Sequence, residues 1–395
     1  MALSGARVVD LTRILAGPFC TMLLADMGAD VIKIEAPGAG DPVRGQGAMV
    51  RGLSWYFAQF NRNKRSLSLD LRSEAGKTVL ADLLAGADVL VENYRPGVLE
   101  EMGFSPVRLK ALNPGLIVTS VNGFGSTGPY ADRPAFDFIA QAMSGFMAVN
   151  GAEGEAPMRA APPLSDLIAG LYAAFGTACA LVARDRLPAG GRGQRVEASL
   201  MMGLVSLMAY LSAECLATGE VPKRTGNDHP IVAPYGLFHA ADGEIAVAPS
   251  HDGIVRRFLA ALGLEELLDQ PDFADNAARM RHRPRLHALI DERVGRDTVV
   301  SWIARLNAAG VPCGRVQDLN DVVNDPQVAA QQMVLEVDHP GHGPVRMTGF
   351  PVKLETTPCR VRHPAPGLGQ HSDEILCELG YGPERIAELR AAGTV

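Results

Sequence analysis

None of the six cysteines, at 20, 179, 215, 313, 359 and 377, lies in a C-x-x-C pair, which removes the common zinc and redox-pair spacings. Six isolated thiols in 395 residues do not make a disulfide framework either. Positive charge is not in excess: the net charge of −7 argues against a general nucleic-acid binder, which needs surplus Lys and Arg to displace counterions. The segment MALSGARVVDL has no basic stretch followed by an apolar run, so it is no secretory signal, and a cytoplasmic protein is expected. Internal repeats, low-complexity tails, H-E-x-x-H helices and G-x-S-x-G elbows are all missing. His339 and His342 flank Pro-Gly, a turn rather than a metal site.

What is present is an ordinary globular balance, 47% hydrophobic and 21% charged, in a chain long enough for two domains. Two uncharged runs, Leu167 to Ala183 and Ala198 to Ala213, flank the basic stretch RDRLPAGGRGQR and resemble a membrane hairpin. Both fall short of the roughly 20 residues of a span and are rich in small residues, so buried helices and no membrane contact are expected.

The first half alternates strand and helix. RVVDL (7–11), VIKIE (31–35), SLSLDL (66–71), DVLVE (88–92) and LIVTSV (116–121) read as strands. Helices are expected from Pro18 to Met27 and from Glu74 to Ala85. That alternation predicts an α/β protein with a largely parallel sheet covered on both faces. Character changes near Thr225, where loops and short strands with a turn at Asp242–Gly243 give way to charged helical sequence. We expect a large domain over 1–224, a smaller α/β domain over 225–330, and a C-terminal segment, 331–395, returning to the large domain.

GFGSTG at 123–128 fits G-x-G-x-x-G, but Pro129 and Pro134 deny the helix start that a dinucleotide loop needs, so it reads as a plain glycine-rich loop. Basic residues gather early: Arg13, Lys33, Arg44, Arg51, Arg62, Lys64, Arg65 and Arg72. They read equally well as a ligand edge at strand ends or as a solvated face. Asp166, in PPLSDLIAGLYAAFG, stands at the start of an apolar helix. Spacing alone favours Ser165 or Asp166 as an N-cap, worth about 1 kcal/mol. The second reading is chemical: a carboxylate kept ionised at a helix N-terminus is a nucleophile that needs no general base.

Several long motifs occur in order: VVDLTRILAGPFCTMLLADMGADVIKIEAPGAGDPVR, FNRNKRSLSLDL, ADVLVENYRPGVLEEMGF, GFGSTGP, PLSDLIAGLYAA, GRGQRVEASL, GNDHPIVAPY and GVPCGRV. In these the chain resembles the class III CoA transferases of the CaiB/BaiF type, the group containing formyl-CoA transferase and carnitine CoA-transferase. The resemblance implies a Rossmann-like large domain, a smaller domain and an interlocked, ring-like homodimer. It implies that Asp166 is the nucleophile, passing through a mixed anhydride and an aspartyl-CoA thioester. The partners would be a CoA thioester and a small carboxylic acid, with no cofactor beyond coenzyme A as substrate. It assigns CoA contacts to Arg13, Leu15, Ala16, Ala36, Leu69, Arg72, Asn93, Tyr94 and Met102. Ala36 and Glu101 replace basic residues that grip CoA in formyl-CoA transferase, which leaves Arg95 or Arg44 to serve. The 2-methylacyl-CoA racemases share the fold but carry a histidine where PAFDFIAQ has Phe136, and two-base proton exchange cannot use phenylalanine. A non-catalytic CoA-binding homologue is the remaining alternative. For the acceptor, a small dicarboxylate is expected, with a succinyl-CoA-like donor and with His229 and Arg159 as candidate contacts.

Overall fold

In a computed structural model, residues 1–187 and 191–395 are described; the middle of the basic stretch noted above, 188–190, lies outside the described residues. The chain divides into two compact units, one made of 1–146, 159–217 and 327–395 and the other of 147–158 and 218–326.

The first unit is built on six parallel strands: β1 (Arg7–Asp10), β2 (Asp30–Glu35), β3 (Lys64–Ser68), β4 (Val89–Glu92), β5 (Ile117–Asn122) and β6 (Arg195–Ser199). Their spatial order is β3-β2-β1-β4-β5-β6, so the direction of winding reverses between β1 and β4. Alternation along each strand sends side chains to opposite faces. Val9, Ile32, Ile34, Leu67 and Leu90 join a core with Leu80, Leu83, Phe104, Ile375 and Leu376. Val8, Val31, Val89, Val91 and Ile117 join a second core on the other face, under helices α1 (Ala16–Asp26) and α2 (Leu164–Arg186).

Helix α2 crosses α1 closely. A Cβ built at Gly170 would lie 2.5 Å from the carbonyl oxygen of Ala16, so only glycine fits there. Ala169, Ala173, Thr177 and Ala180 are buried along the same helix, while Leu171, Phe175 and Val182 are exposed. Among the described residues α2 is the one unbroken helix with the length and apolar content of a membrane span. The second uncharged run is not one helix. Strand β6 takes its start, and helices Leu200–Leu207 and Ala209–Thr218 follow, bent by 77° at a break where Ala209 adopts φ 48°.

Residues 327–395 belong to this first unit. The hairpin Val334–His339 and Gly343–Thr348 packs through Val337, Val345 and Met347 against Val43 and Phe57. His339 and His342 sit at its turn, where His339 Nδ1 lies 3.0 Å from the Val337 carbonyl. Asp70 donates its amide to Thr394 at 2.8 Å, which ties the end of the chain to the loop after β3.

The second unit holds a three-stranded antiparallel sheet, Cys313–Arg315, Gly243–Val247 and Gly236–Ala240 in spatial order. Its core gathers Phe238, Ile245, Phe258, Leu286 and Trp302 from that sheet and the helices beside it. The protein is therefore α/β, a parallel Rossmann-like sheet with a smaller mixed unit.

Candidate active site

On the sheet face under α1 and α2 the strands change character halfway along. Val8 and Val31 give way to Asp10, Lys33 and Glu35 at the carboxyl end, and Lys64, the first residue of β3 and level with Val31, reaches them from the neighbouring strand. These buried charges are paired. Lys64 Nζ meets Asp10 at 3.1 Å and Lys33 Nζ meets Asp41 at 2.9 Å. Arg44 donates twice to Glu35, both at 2.7 Å, and stacks 3.7 Å from the Phe57 ring centre. Burial works to lower the Lys33 ammonium's pKa, but Asp10, Asp41 and Glu35 overcome it and hold Lys33 above its ordinary range. Arg62 is bound to Asp26, and Arg65 to Asp30, Glu374 and Glu378. Most of the early basic cluster thus serves internal pairing, and Arg44 is engaged rather than free for phosphate.

The carboxyl ends of β1 and β4 border the crevice where open α/β sheets hold ligands. The turn after β1 carries Arg13 and Leu15 and leads into Ala16, the first residue of α1; the turn after β4 carries Asn93, Tyr94 and Arg95. Arg13 and Asn93 bridge the two: Arg13 N donates to Asn93 Oδ1 at 3.0 Å, and Asn93 Nδ2 donates to the Arg13 carbonyl at 2.8 Å. The Arg13 guanidinium lies 5.9 Å from the Tyr94 ring centre. Leu15 and Ala16 are buried, so the side chain this turn presents to solvent is that of Arg13. Ala36 follows β2 and is exposed; Leu69 follows β3 and is buried. Exposed Arg72 precedes Ser73, which caps helix Glu74–Ala85. Met102 ends the short helix Val98–Glu101 and packs with Tyr94 on the core. Arg95 lines a separate cavity of about 480 Å³ with Glu92, Leu99 and Arg195. Arg13, Arg72 and Arg95 have no ion-pair partner among the described residues.

Asp166 is not the cap of α2. The helix begins at Leu164, so Asp166 is its third residue, and Pro163 at the cap position offers no side-chain acceptor. The capping carboxylate comes from 28 residues earlier. Asp137 accepts the Ser165 amide at 2.9 Å and its hydroxyl at 2.8 Å. Gln141 donates to Asp137 at 2.8 Å and accepts the Ala160 amide at 2.8 Å, which also fixes the chain next to Arg159. Asp166 shares a helix face with Gly170, four residues on, and so faces the start of α1.

Burial pushes the Asp166 carboxyl up to about 7, with the nearby Asp137 charge adding to the effect. Burial and a like charge thus oppose the helix-end dipole that was expected to keep the carboxylate ionised. Tyr56 is raised to about 12 by burial, then by Asp166 and Asp41, which puts its phenol within electrostatic reach of Asp166. Tyr56, Asp137, Gln141 and Asp41 escaped the sequence reading. Asp137 alone had a signal, as the acid beside Phe136 in PAFD, and Phe136 itself is exposed. Of the expected acceptor contacts, Arg159 lies in the first unit, donating to the Ala161 carbonyl at 2.9 Å. His229 lies in the second, its ring 4.9 Å from that of Tyr235.

The sequence pattern described as CoA-transferase family III matches residues 3–372. The chain belongs to that family, and it is a CoA-transferase enzyme of the class III, CaiB/BaiF type. It is 38% identical to the succinyl-CoA–D-citramalate CoA-transferase of Chloroflexus aurantiacus, over 98% of this chain and 97% of that one. It is 35% identical to the succinyl-CoA:glutarate CoA-transferase of Homo sapiens, over 100% of this chain and 90% of that one. Among solved structures, a CaiB/BaiF family protein from Brucella suis superimposes with a TM-score of 0.84 at 37% identity, covering 95% of this chain and 99% of that one.

A half-buried carboxylate with a raised pKa binds its proton more tightly in the folded protein than in the unfolded chain. Between about 4 and 7 its contribution to folding therefore falls as pH rises. Asp166→Asn is expected to raise the melting temperature, by a margin that grows from pH 5 to pH 8. Thermal unfolding of both proteins across that range checks it; a margin independent of pH contradicts it.

Proposed function

We propose that this enzyme moves CoA from an acyl-CoA donor to a carboxylic acid, with Asp166 as the covalent relay. The observation that supports it is the placement of Asp166: a half-desolvated carboxylate on the α2 face that turns toward the start of α1, beside the β1–β4 crevice. The Asp166 oxygen attacks the donor thioester carbon, the C–S bond breaks, and CoA leaves as the thiolate. The thiolate attacks the Asp166 carbonyl of the mixed anhydride, releasing the donor acid and leaving an aspartyl-CoA thioester. The acceptor carboxylate attacks that carbonyl and displaces the thiolate again. The thiolate then takes the acceptor's acyl carbon, forming the new acyl-CoA and restoring Asp166. Each step exchanges one acyl bond for another of similar energy, which divides a hard exchange into easier ones.

Arg13 and Arg72 supply the charge that would meet the CoA phosphates, since guanidinium forks match phosphate oxygens, and Arg95, in the turn after β4, would have to swing from its neighbouring cavity to replace the grip lost at Ala36 and Glu101. Backbone and packing groups at Leu15, Ala16, Leu69, Asn93, Tyr94 and Met102 shape the same crevice. The acceptor is a small dicarboxylate and the donor is of the succinyl-CoA type, as the names of the two curated relatives suggest. Arg159 is the acceptor contact that the first unit offers. Phe136, which can carry no proton, argues against α-proton exchange on the same fold.

The working form is an interlocked homodimer in the cytoplasm. Leu171 (47%), Phe175 (67%) and Val182 (49%) on α2, with Phe136 (68%) and Phe138 (50%), leave an exposed apolar surface that a second copy of this chain would cover. Sedimentation equilibrium should return a mass of two subunits; a monomer at micromolar concentration contradicts this part of the reading.

Acyl exchange followed by mass spectrometry over a grid of acyl-CoA donors and acids tests the activity. Wild type is expected to exchange with at least one dicarboxylate, and kcat/KM should fall below about pH 7 as Asp166 takes up a proton. Asp166→Asn should lower exchange by at least about a thousandfold while staying folded. Undiminished exchange by that variant would falsify the relay.

A further inference from the structure

We infer that the buried Lys33–Asp41 pair is a positioning device that holds the Arg13–Ile14 turn in a strained conformation and so sets the CoA-binding edge of the β1–β4 crevice. This rests on the reading that the crevice holds CoA.

Ile14 has φ 72°, the left-handed region. For a β-branched residue this is a genuine outlier, disfavoured on the order of tenfold. Such a conformation persists only where the surroundings over-determine it. Here they do. The Ile14 amide donates to both Asp41 oxygens, at 3.1 and 3.3 Å. Lys33 Nζ binds Asp41 Oδ2 at 2.9 Å and the Thr12 carbonyl at 2.8 Å, so one ammonium joins both ends of the turn. The Lys33 and Asp41 side chains are 0% and 1% exposed, so neither charge has water as an alternative. Asp41 is fixed in turn, its amide donating to Glu35 Oε2 at 3.0 Å.

The choice of isoleucine is informative. Glycine would adopt this φ without strain. The Ile14 side chain instead packs on the cluster of Val43, Phe57, Val337 and Met347, which includes the C-terminal hairpin. The turn is thus pulled inward by an apolar anchor at 14 and pinned by an anion at the same residue's amide. Arg13 is left facing out, exposed and without an ion-pair partner among the described residues, beside Tyr94. Asp41 and Lys33, fully buried, act on the ligand only through that backbone.

The test measures CoA affinity by calorimetry, with thermal unfolding in parallel, on four proteins: wild type, Asp41→Ala, Asp41→Ala/Ile14→Gly, and Ile14→Pro. Asp41→Ala is expected to weaken CoA binding by about tenfold. Adding Ile14→Gly should recover binding to within about threefold of wild type, because glycine reaches this φ without the strain that the clamp otherwise has to oppose. A purely structural role for the ion pair would not be rescued by a glycine at residue 14. Ile14→Pro, whose ring fixes φ near −65°, should weaken binding by about tenfold while the Lys33–Asp41 pair stays intact. A wild type that does not bind CoA overturns the crevice reading itself. A binding wild type overturns the positioning role if Ile14→Pro binds equally well, or if the double variant binds no better than Asp41→Ala. Should Asp41→Ala not fold, Ile14→Pro decides alone.

Discussion

Charges that have nowhere to go but to each other organise this protein. Asp10, Lys33 and Glu35 occupy the carboxyl half of one sheet face and Lys64 starts β3 on the same face, where burial leaves them no water. Removing one member of such a pair strands the other at a cost of about 3–5 kcal/mol, so the lattice is held as a whole. Its consequence is geometric. Asp10 accepts the Thr12 amide at 2.9 Å, Lys33 holds the Thr12 carbonyl, and Asp41 holds the Ile14 amide. The turn that opens α1 therefore has one conformation, and α1 carries it against α2 at Gly170. The crevice and the start of α2 are parts of one packed unit rather than a loop beside a helix.

The same economy of water explains Asp166. A carboxylate on the first turn of a helix ordinarily benefits from the dipole. Here the dipole is opposed by burial and by Asp137, whose own carboxylate is committed to the Ser165 amide and hydroxyl. The result is a group near the midpoint of its titration at neutral pH, costly to keep ionised and poorly solvated when it is. Poor solvation is what a carboxylate nucleophile needs to compete with water for a thioester carbon. The cap and the carboxylate it precedes are different residues, and the charge of the first adds to the effect of burial on the second.

How much of this was legible in the sequence follows from how local each feature is. Strands β1, β2, β4 and β5 declare themselves by runs of Val, Ile and Leu, and helix Glu74–Ala85 by its Ser73 cap and its leucine spacing, whereas β3, KRSLS, begins two residues before the expected SLSLDL and ends three before it. Strand β6, RVEAS, is a polar edge strand continuous with apolar helix, and nothing in its composition separates it. The break at Ala209 carries no Gly or Pro to mark it. The helix-start chemistry at Asp166 was misplaced because its cap lies 28 residues away on another element. The basic residues told the least: only the folded sheet separates Lys33, Arg44, Arg62 and Lys64, which are paired inside, from Arg13 and Arg72, which are not.

The central claim is that CoA becomes covalently attached to Asp166 during exchange. Mixing the enzyme with an acyl-CoA donor, quenching with borohydride and mapping the peptides tests it most directly. The account requires a peptide spanning Leu164–Arg186 in which Asp166 has been reduced to homoserine, dependent on the donor. Unmodified Asp166 under conditions where acyl exchange is running, or modification at another carboxylate, contradicts it.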